Sequence, residues 1–322
     1  MFFFVTRTLQ AGLVMLTVAL VGFLVFQYVG DPVLSLVGQE TSIEDREALR
    51  ERLGLNDPVA LQYLRFVGKA VVGDFGISYS FNRDVSAMIA ERLPATIELV
   101  LLSGVLSLLL AIPLGIYTGI RRKGGWSQAI LALSVIGVSV PSFLLGILLI
   151  LVFSVWLNWL PSFGRGDTVE LAGIRFGLLT LDGWTHAIMP AAVLCLFQLG
   201  MILRLVRSEM MEVLKTDFIR FARARGLPQR RIYMHHALKN TLVPVVTAIG
   251  LQLSSLFAFS IITERVFQWP GMGQLLLHAI EQSDIPLLAA YLVFVGLVFT
   301  LSNLCVDALY FLIDPRVRAL GK

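Results

Sequence analysis

The stretch RLVRSEMMEVLKTDFIRFARARGLPQRRIYMHHALKN, residues 204–240, carries nine Lys and Arg residues. It is bracketed by two uncharged runs, Ala187–Leu203 before it and Asn240–Thr263 after it. Seventeen to twenty-four uncharged residues are about the length that a hydrocarbon core demands of a helix. A basic segment between two such runs therefore sits on one face of a membrane, and the face it chooses orients everything else.

Working outward, further uncharged runs are Thr8–Gly30 after Arg7, Leu99–Ile120, the 41-residue run Gly124–Gly164, and Ile285–Val306. Lipid offers no partner to open backbone, so these runs must be helices. The run Thr8–Gly30 is longer than a signal-peptide core and lacks a small-x-small cleavage site, so it reads as a retained first span. The long run admits two helices with a turn at Val140-Pro141-Ser142, or one span bent at Pro141. Splitting it would put residues 204–239 on the outer face. Kept as one, six spans leave sixteen Lys and Arg residues inside and ten outside. The expectation is therefore an all-α, six-span membrane protein with cytoplasmic N- and C-termini and a long outer loop after the first helix. Its parts are residues 1–30 (N-terminal segment and first span), 31–96 (an extracytoplasmic loop subdomain) and 97–322 (a five-helix core carrying the cytoplasmic segment 204–240).

Composition agrees. The chain of 322 residues is 57% hydrophobic and 15% charged, with a mean hydropathy of +0.79, against about 25% charged residues in soluble domains. The loop 31–96 differs in texture, with seven basic and ten acidic residues. There Thr41-Ser42-Ile43-Glu44 reads as a capping box opening a helix through Arg52 that Gly54 stops. Pro58 to about Val72 reads as a second helix with Leu61, Leu64, Val67 and Val71 on one apolar face. Cys195 and Cys305 lie in apolar runs and read as packing residues.

Catalytic signatures are missing. The sequence holds no phosphate-cradling G-x-x-x-x-G-K-[ST], no H-E-x-x-H and no G-x-S-x-G. His235 and His236, adjacent on a helix, point about 100° apart and do not share a metal. Ionisable residues avoid the span interiors; Glu98, Arg204 and Asp307 sit at span ends as interfacial anchors. An ion-coupled carrier would place such groups inside the membrane, so the energy for translocation must come from elsewhere. A catalytic residue, a bound cofactor, a metal site and a nucleic-acid partner are none of them expected of this chain.

Within 204–240, Met210, Val213, Leu214 and Phe218 form one helical stripe. Asp217 is placed to cap a short helix, Phe218–Arg225, which Gly226 stops before Pro228. Gly115-x-x-x-Gly119 marks a close helix approach, either within one subunit or between two.

Here the sequence resembles a family. Phe221-Ala-Arg-Ala-Arg-Gly-Leu227, Arg230-Arg231, His236-Ala-Leu-Lys-Asn240 and Leu242-Val-Pro-Val-Val-Thr247 resemble the coupling loop of peptide/nickel-type ABC importer permeases, the group of dipeptide, oligopeptide and glutathione importers. Gly30-Asp-Pro-Val33, Gly73-Asp-Phe-Gly76, Glu91-Arg-Leu-Pro-Ala-Thr96, Ser139-Val-Pro-Ser-Phe143, Val266-Phe-Gln-Trp-Pro-Gly-Met-Gly273 and Asp314-Pro-Arg-Val-Arg318 extend the resemblance along the chain, closest to the dipeptide-type first permease. The general importer signature has E-A-A where this chain has Arg220, Phe221 and Ala222, and an isoleucine where it has His236. The resemblance implies the type I importer permease fold in a bacterial cytoplasmic membrane. The partners it implies are a second homologous permease, two cytoplasmic ATPases holding ATP and Mg, and an extracytoplasmic binding protein. It places Asp217, Phe218, Phe221, Ala222, Ala224, Gly226 and Leu227 at the ATPase contact. It also makes Tyr63 and Trp269 candidates for docking the binding protein. The implied cargo is a di- or oligopeptide, with glutathione or a nickel complex as the alternative; cargo-binding residues are not legible.

Overall fold

A computed structural model describes residues 2–28, 42–52 and 54–313. The expected motifs Gly30–Val33 and Asp314–Arg318, and Thr41 of the capping box, lie outside the described residues. The helices are α1 Phe2–Tyr28, α2 Ile43–Arg52, α3 Val59–Val71, α4 Val85–Ile120, α5 Gly125–Ser139, α6 Ser142–Leu149, α7 Leu181–Val213, α8 Asp217–Ala224, α9 Gln229–Arg231, α10 Leu238–Val266, α11 Met272–Glu281 and α12 Ile285–Ile313. Wider π-helical turns continue α6 through Ile150–Trp156 and join α9 to α10 through Ile232–Ala237. A small antiparallel hairpin, β1 Val169–Leu171 and β2 Ile174–Phe176, pairs Val169 with Phe176.

Four helices (α1, α4, α7 and α12) are long and apolar enough to cross a membrane; a fifth counts if the two parts of α10, meeting at 44°, are one span. The expected third span departs from the sequence reading. Rather than one bent helix, the run 124–164 holds two short ones, broken at Pro141, whose φ of −55° and ψ of 135° are extended. Proline lacks the amide hydrogen, and its ring crowds the preceding turn, so the helix stops and restarts.

The described residues form two compact units. One comprises residues up to Leu93 with Gly271–Leu304; the other comprises Pro94–Pro270 with the residues from Cys305 onward. In the second, α7 is central, burying Leu194, Leu199, Ile202, Leu203, Val206 and Met210 against α5 and α10. Glycine sets the distance to α4. A Cβ on Gly115 would lie 2.6 Å from Val206 Cβ, and one on Gly119 would lie 3.0 Å from Met210 Cβ. The Gly115/Gly119 pair thus serves packing within one chain.

In the first unit, α1 packs on α12 through Gly22, whose Cβ would meet the Ala289 carbonyl at 3.2 Å. α2 begins one residue later than the capping box suggested. Ser42 Oγ accepts the Asp45 amide at 3.2 Å and donates to the Asp45 carboxylate at 2.7 Å, so Asp45 occupies the acidic slot. Gly54, at φ +67°, ends it as expected. Of the apolar face expected on α3, Leu61, Leu64 and Val71 are exposed and Val67 is half-buried, while Gln62, Tyr63 and Phe66 turn inward. The inward groups have partners. Gln62 donates to the Leu55 and Asp57 carbonyls, and both rings meet Phe23 of α1, with centroids 5.7 and 6.0 Å away.

Candidate functional site

The basic segment 204–240 folds as three short pieces. Leu214 and Lys215 turn the chain out of α7, and Thr216, at φ −65° and ψ 154°, opens α8. Asp217 does not cap this helix; it is the first helical residue. The cap position falls on Thr216, whose hydroxyl donates instead to the Val213 carbonyl at 2.6 Å. Asp217 still favours the helix by placing negative charge at its N-terminus. Its ion pair with Arg220, 3.1 Å long and with both side chains over 70% exposed, is of the surface kind that contributes little.

One face of α8 is fixed. Ile219 is fully buried and Ala222 nearly so, in a cluster with Leu214, Ile232 and Ala237. That burial ties α8 to the end of α7 on one side and the π-turn on the other. The C-terminal stop is a Schellman arrangement. Leu227 N–H donates to the Ala222 carbonyl at 3.3 Å and Gly226 N–H to the Arg223 carbonyl at 2.9 Å. Gly226 sits at φ +72°, a conformation a side chain disfavours, yet a Cβ there would meet nothing within 4 Å. The requirement for glycine is therefore one of backbone conformation and not of space. Leu227, half-buried, packs on the same cluster.

The opposite face is open. Phe218 is 44% and Phe221 65% exposed, and the Arg225 guanidinium lies 5.8 Å from the Phe221 ring centroid. Arg220, Arg223, Ala224 and Arg225 are exposed beside them, as are Arg230 and Arg231. The structure thus brings together all seven residues expected at the coupling surface, but on two faces. Phe218, Phe221 and Ala224 project outward, whereas Ala222 and Leu227 hold the helix in place. Apolar rings framed by guanidinium groups suit a partner's apolar slot with an acidic rim.

The other expected site residues behave differently. Trp269 is 0% exposed and donates its indole N–H to the Ala95 carbonyl at 2.9 Å. Its ring therefore cannot dock a partner; it packs with Leu99, Leu194 and Leu256. Tyr63 donates its hydroxyl to the Leu16 carbonyl at 2.7 Å and so spends its polar tip on α1. The π-turn holds His235 and His236 with ring centroids 5.4 Å apart and planes at 87°. Among the described residues, no three His, Cys, Asp or Glu side chains gather to hold a metal.

Three polar anchors escaped the sequence reading. Glu98 is a buried partner of Arg165, with oxygen and nitrogen 2.6 Å apart, and also accepts the Gly177 amide at 2.8 Å; it is not a wetted interfacial anchor. Glu264 is fully buried and accepts the Thr96 hydroxyl at 2.6 Å. In the first unit, Asp284 accepts Ser78 Oγ at 2.5 Å and Ser80 Oγ at 2.6 Å, besides the Tyr79 and Ser80 amides. Desolvation pushes the Asp284 carboxyl up, but these donors outweigh it and hold the pKa below its ordinary 3.8. The signal available in sequence was acidic residues at span boundaries; the donors come from segments far away along the chain.

Comparison with known proteins places this geometry. The profile described as "Binding-protein-dependent transport system inner membrane component" matches residues 111–319, and the profile for the N-terminal part of such components matches residues 1–100. An oligopeptide transport system permease protein, AppB of Bacillus subtilis, is 36% identical over 318 residues, covering 98% of this chain and 99% of its own. A putative peptide transport system permease protein of Brucella abortus is 38% identical, covering 97% of both chains. The glutathione transport system permease protein GsiC of Escherichia coli is 36% identical, covering 94% of this chain and 95% of its own. Among solved structures, the MetNI methionine ABC transporter in inward-facing conformations matches with a TM-score of 0.56 at 18% identity, over 71% of this chain and 97% of that one, a likeness of fold. With its apolar helices and these matches, the chain belongs to the inner-membrane permease components of binding-protein-dependent ABC importers, and it is a multi-pass membrane protein.

Proposed function

We propose that this chain is one of two homologous permeases in an importer of di- and oligopeptides, driven by two cytoplasmic ATPases and supplied by an extracytoplasmic binding protein. Six spans with both termini in the cytoplasm would put residues 204–240 on the ATPase side. The observation that carries this reading is α8: a short helix rigidly held by Ile219 and Ala222, stopped at Gly226, and presenting Phe218 and Phe221 outward. ATP and Mg belong to the ATPases in this reading. Closure of the ATPase pair would pull α8. Because Ile219 and Ala222 join it to α7 and the π-turn before α10, the pull would pass into those helices as a rigid displacement. Alternating access then follows as a switch between two packings of the spans.

Similarity to peptide permeases supports peptide cargo, and the similarity to a glutathione permease supports a γ-linked tripeptide as the second reading. The test is reconstitution of the co-produced complex in vesicles, with uptake of labelled dipeptide, oligopeptide and glutathione and ATP hydrolysis measured together. Peptide-stimulated hydrolysis with uptake is expected. Gly226→Asp is expected to leave membrane insertion intact, abolish uptake and leave hydrolysis insensitive to peptide. Near-normal uptake by that variant would remove α8 from the coupling path. Uptake driven by an ion gradient without ATP would instead identify a secondary carrier.

A further inference from the structure

We infer that α3 is embedded in the membrane rather than standing in the aqueous loop, and that phospholipid acyl chains cover its outward face. Depth is the first ground. Tyr63 reaches the carbonyl of Leu16, near the middle of the apolar stretch Thr6–Tyr28 of α1. Leu16 lies twelve residues from Tyr28, about 18 Å along a helix rising 1.5 Å per residue. A tyrosine side chain is short beside that distance, so the backbone of α3 at Tyr63 lies below the outer end of α1. Phe66 lies nearer the outer end but still within the apolar stretch, packing on Phe23 with its ring also 3.7 Å from the Cβ position of Gly22.

The second ground is the chemistry of the outward face. Leu61, Leu64, Gly68 and Val71 share one side of the helix at spacings of three, four and three residues, and Val72 follows at its C-terminal cap. Leu64 is 65%, Val71 80% and Val72 78% exposed. Arg65, one turn after Leu61, borders that stripe on one side, and Lys69 lies further round. A helix washed by water would show the reverse pattern. The cations Arg65 and Lys69 line, with Phe23, Phe26 and Phe66, a cavity of about 410 Å³. Arg65 is held by Asp57 at 2.6 Å. Long cationic side chains on a flank can extend to the headgroups while the helix stays among the chains.

The third ground is continuity. Leu13, Leu16, Leu20 and Leu24 of α1 are exposed as a lipid-facing stripe on a membrane span, and α3 packs beside that span in the same unit. Acyl chains that cover one cover the other at the same depth. The tyrosine hydroxyl also fits this setting. With no water to receive it, the O–H finds the second lone pair of a helix carbonyl.

The experiment uses the full chain in phospholipid vesicles, with Cys195→Ala and Cys305→Ala removing the native thiols. Nitroxide labels go on Leu64→Cys and, independently, on Val71→Cys, both outward and so free of packing strain. Relaxation by molecular oxygen, which concentrates in hydrocarbon, is compared with relaxation by a water-soluble nickel chelate. The expected result is oxygen dominance at both sites, matching a label on Leu20→Cys of α1 and opposite to one on Asp217→Cys. Nickel dominance at both sites would overturn the inference, and so would shielding from both reagents, which means that protein covers the face. On the chain without substitutions, a phospholipid bearing a photoreactive diazirine near the chain terminus should attach within residues 59–72. Labelling of α1 with none in 59–72 would also overturn it.

Discussion

The helices α3 and α8 are built alike and finished differently. Each is short, each is held by one buried face, and each turns apolar side chains outward. In α8 the outward groups are two phenyl rings framed by Arg220, Arg223 and Arg225. In α3 they are aliphatic, with no aromatic ring among them, and are bordered on one side by Arg65 and Lys69. The mixed surface has the chemistry of a protein contact, where rings fill a slot and guanidinium groups choose the partner by charge. The uniform surface offers no specific recognition, and a fluid hydrocarbon demands none. What an exposed apolar helix is for can thus be read from what accompanies the apolar groups.

That contrast can be broken at several points. The largest expected effect is on α8: Phe221→Ser should drive ATP-coupled uptake to background while the melting temperature of the chain stays unchanged, and Leu64→Ala on α3 should leave uptake intact. Parallel uptake and melting measurements decide it; equal loss in both variants would erase the distinction. Next comes the anchoring face. Ile219→Ala removes fully buried methylenes and should cost about 2–4 kcal/mol of local stability, read as faster hydrogen exchange across residues 217–227.

The Asp284 anchor is expected to respond to pH. Its carboxyl pKa is lowered in the folded chain, so its contribution is present above 3.8 and is lost as pH falls through the folded value. Asp284→Asn should destabilise the first unit by about 1.5–3 kcal/mol at neutral pH, the range for hydrogen bonds to a charged group. The variant should also melt with a flatter dependence below pH 4. An unchanged profile in thermal melts between pH 3 and 7 would contradict this. The smallest effect belongs to Tyr63→Phe, which removes one hydrogen bond to Leu16 and should cost about 1 kcal/mol. Detergent-based thermal melting measures it, and a wild-type melting temperature would show that the bond contributes nothing to holding α3 on α1.

Much of the site was legible beforehand. Gly226 marks a helix end because few residues tolerate φ above zero, and the charge of residues 204–240 speaks for itself. One reading failed: Trp269 reads as a docking candidate and lies buried. The apolar face of α3 was legible, but what covers it was not, because hydrophobic periodicity shows that a face exists and leaves open what meets it. Pro141 shows a finer limit. Its interruption was visible in the run 124–164, but whether the chain bends or breaks depends on whether neighbours restore the lost hydrogen bond.

By itself, then, the sequence determined that this is an all-helical membrane protein and where the short basic helix stops, although among the described residues four or five helices, against the six expected, are long and apolar enough to cross. Those follow from local quantities: hydropathy summed over a run, charge counted between runs, and the φ preference of one residue. Only the tertiary structure decided that Glu98, Glu264 and Asp284 are buried and satisfied, that Gly115 and Gly119 seat α7, and that α3 rests on the middle of α1. Each of these depends on two segments meeting in space, which no window along the chain contains.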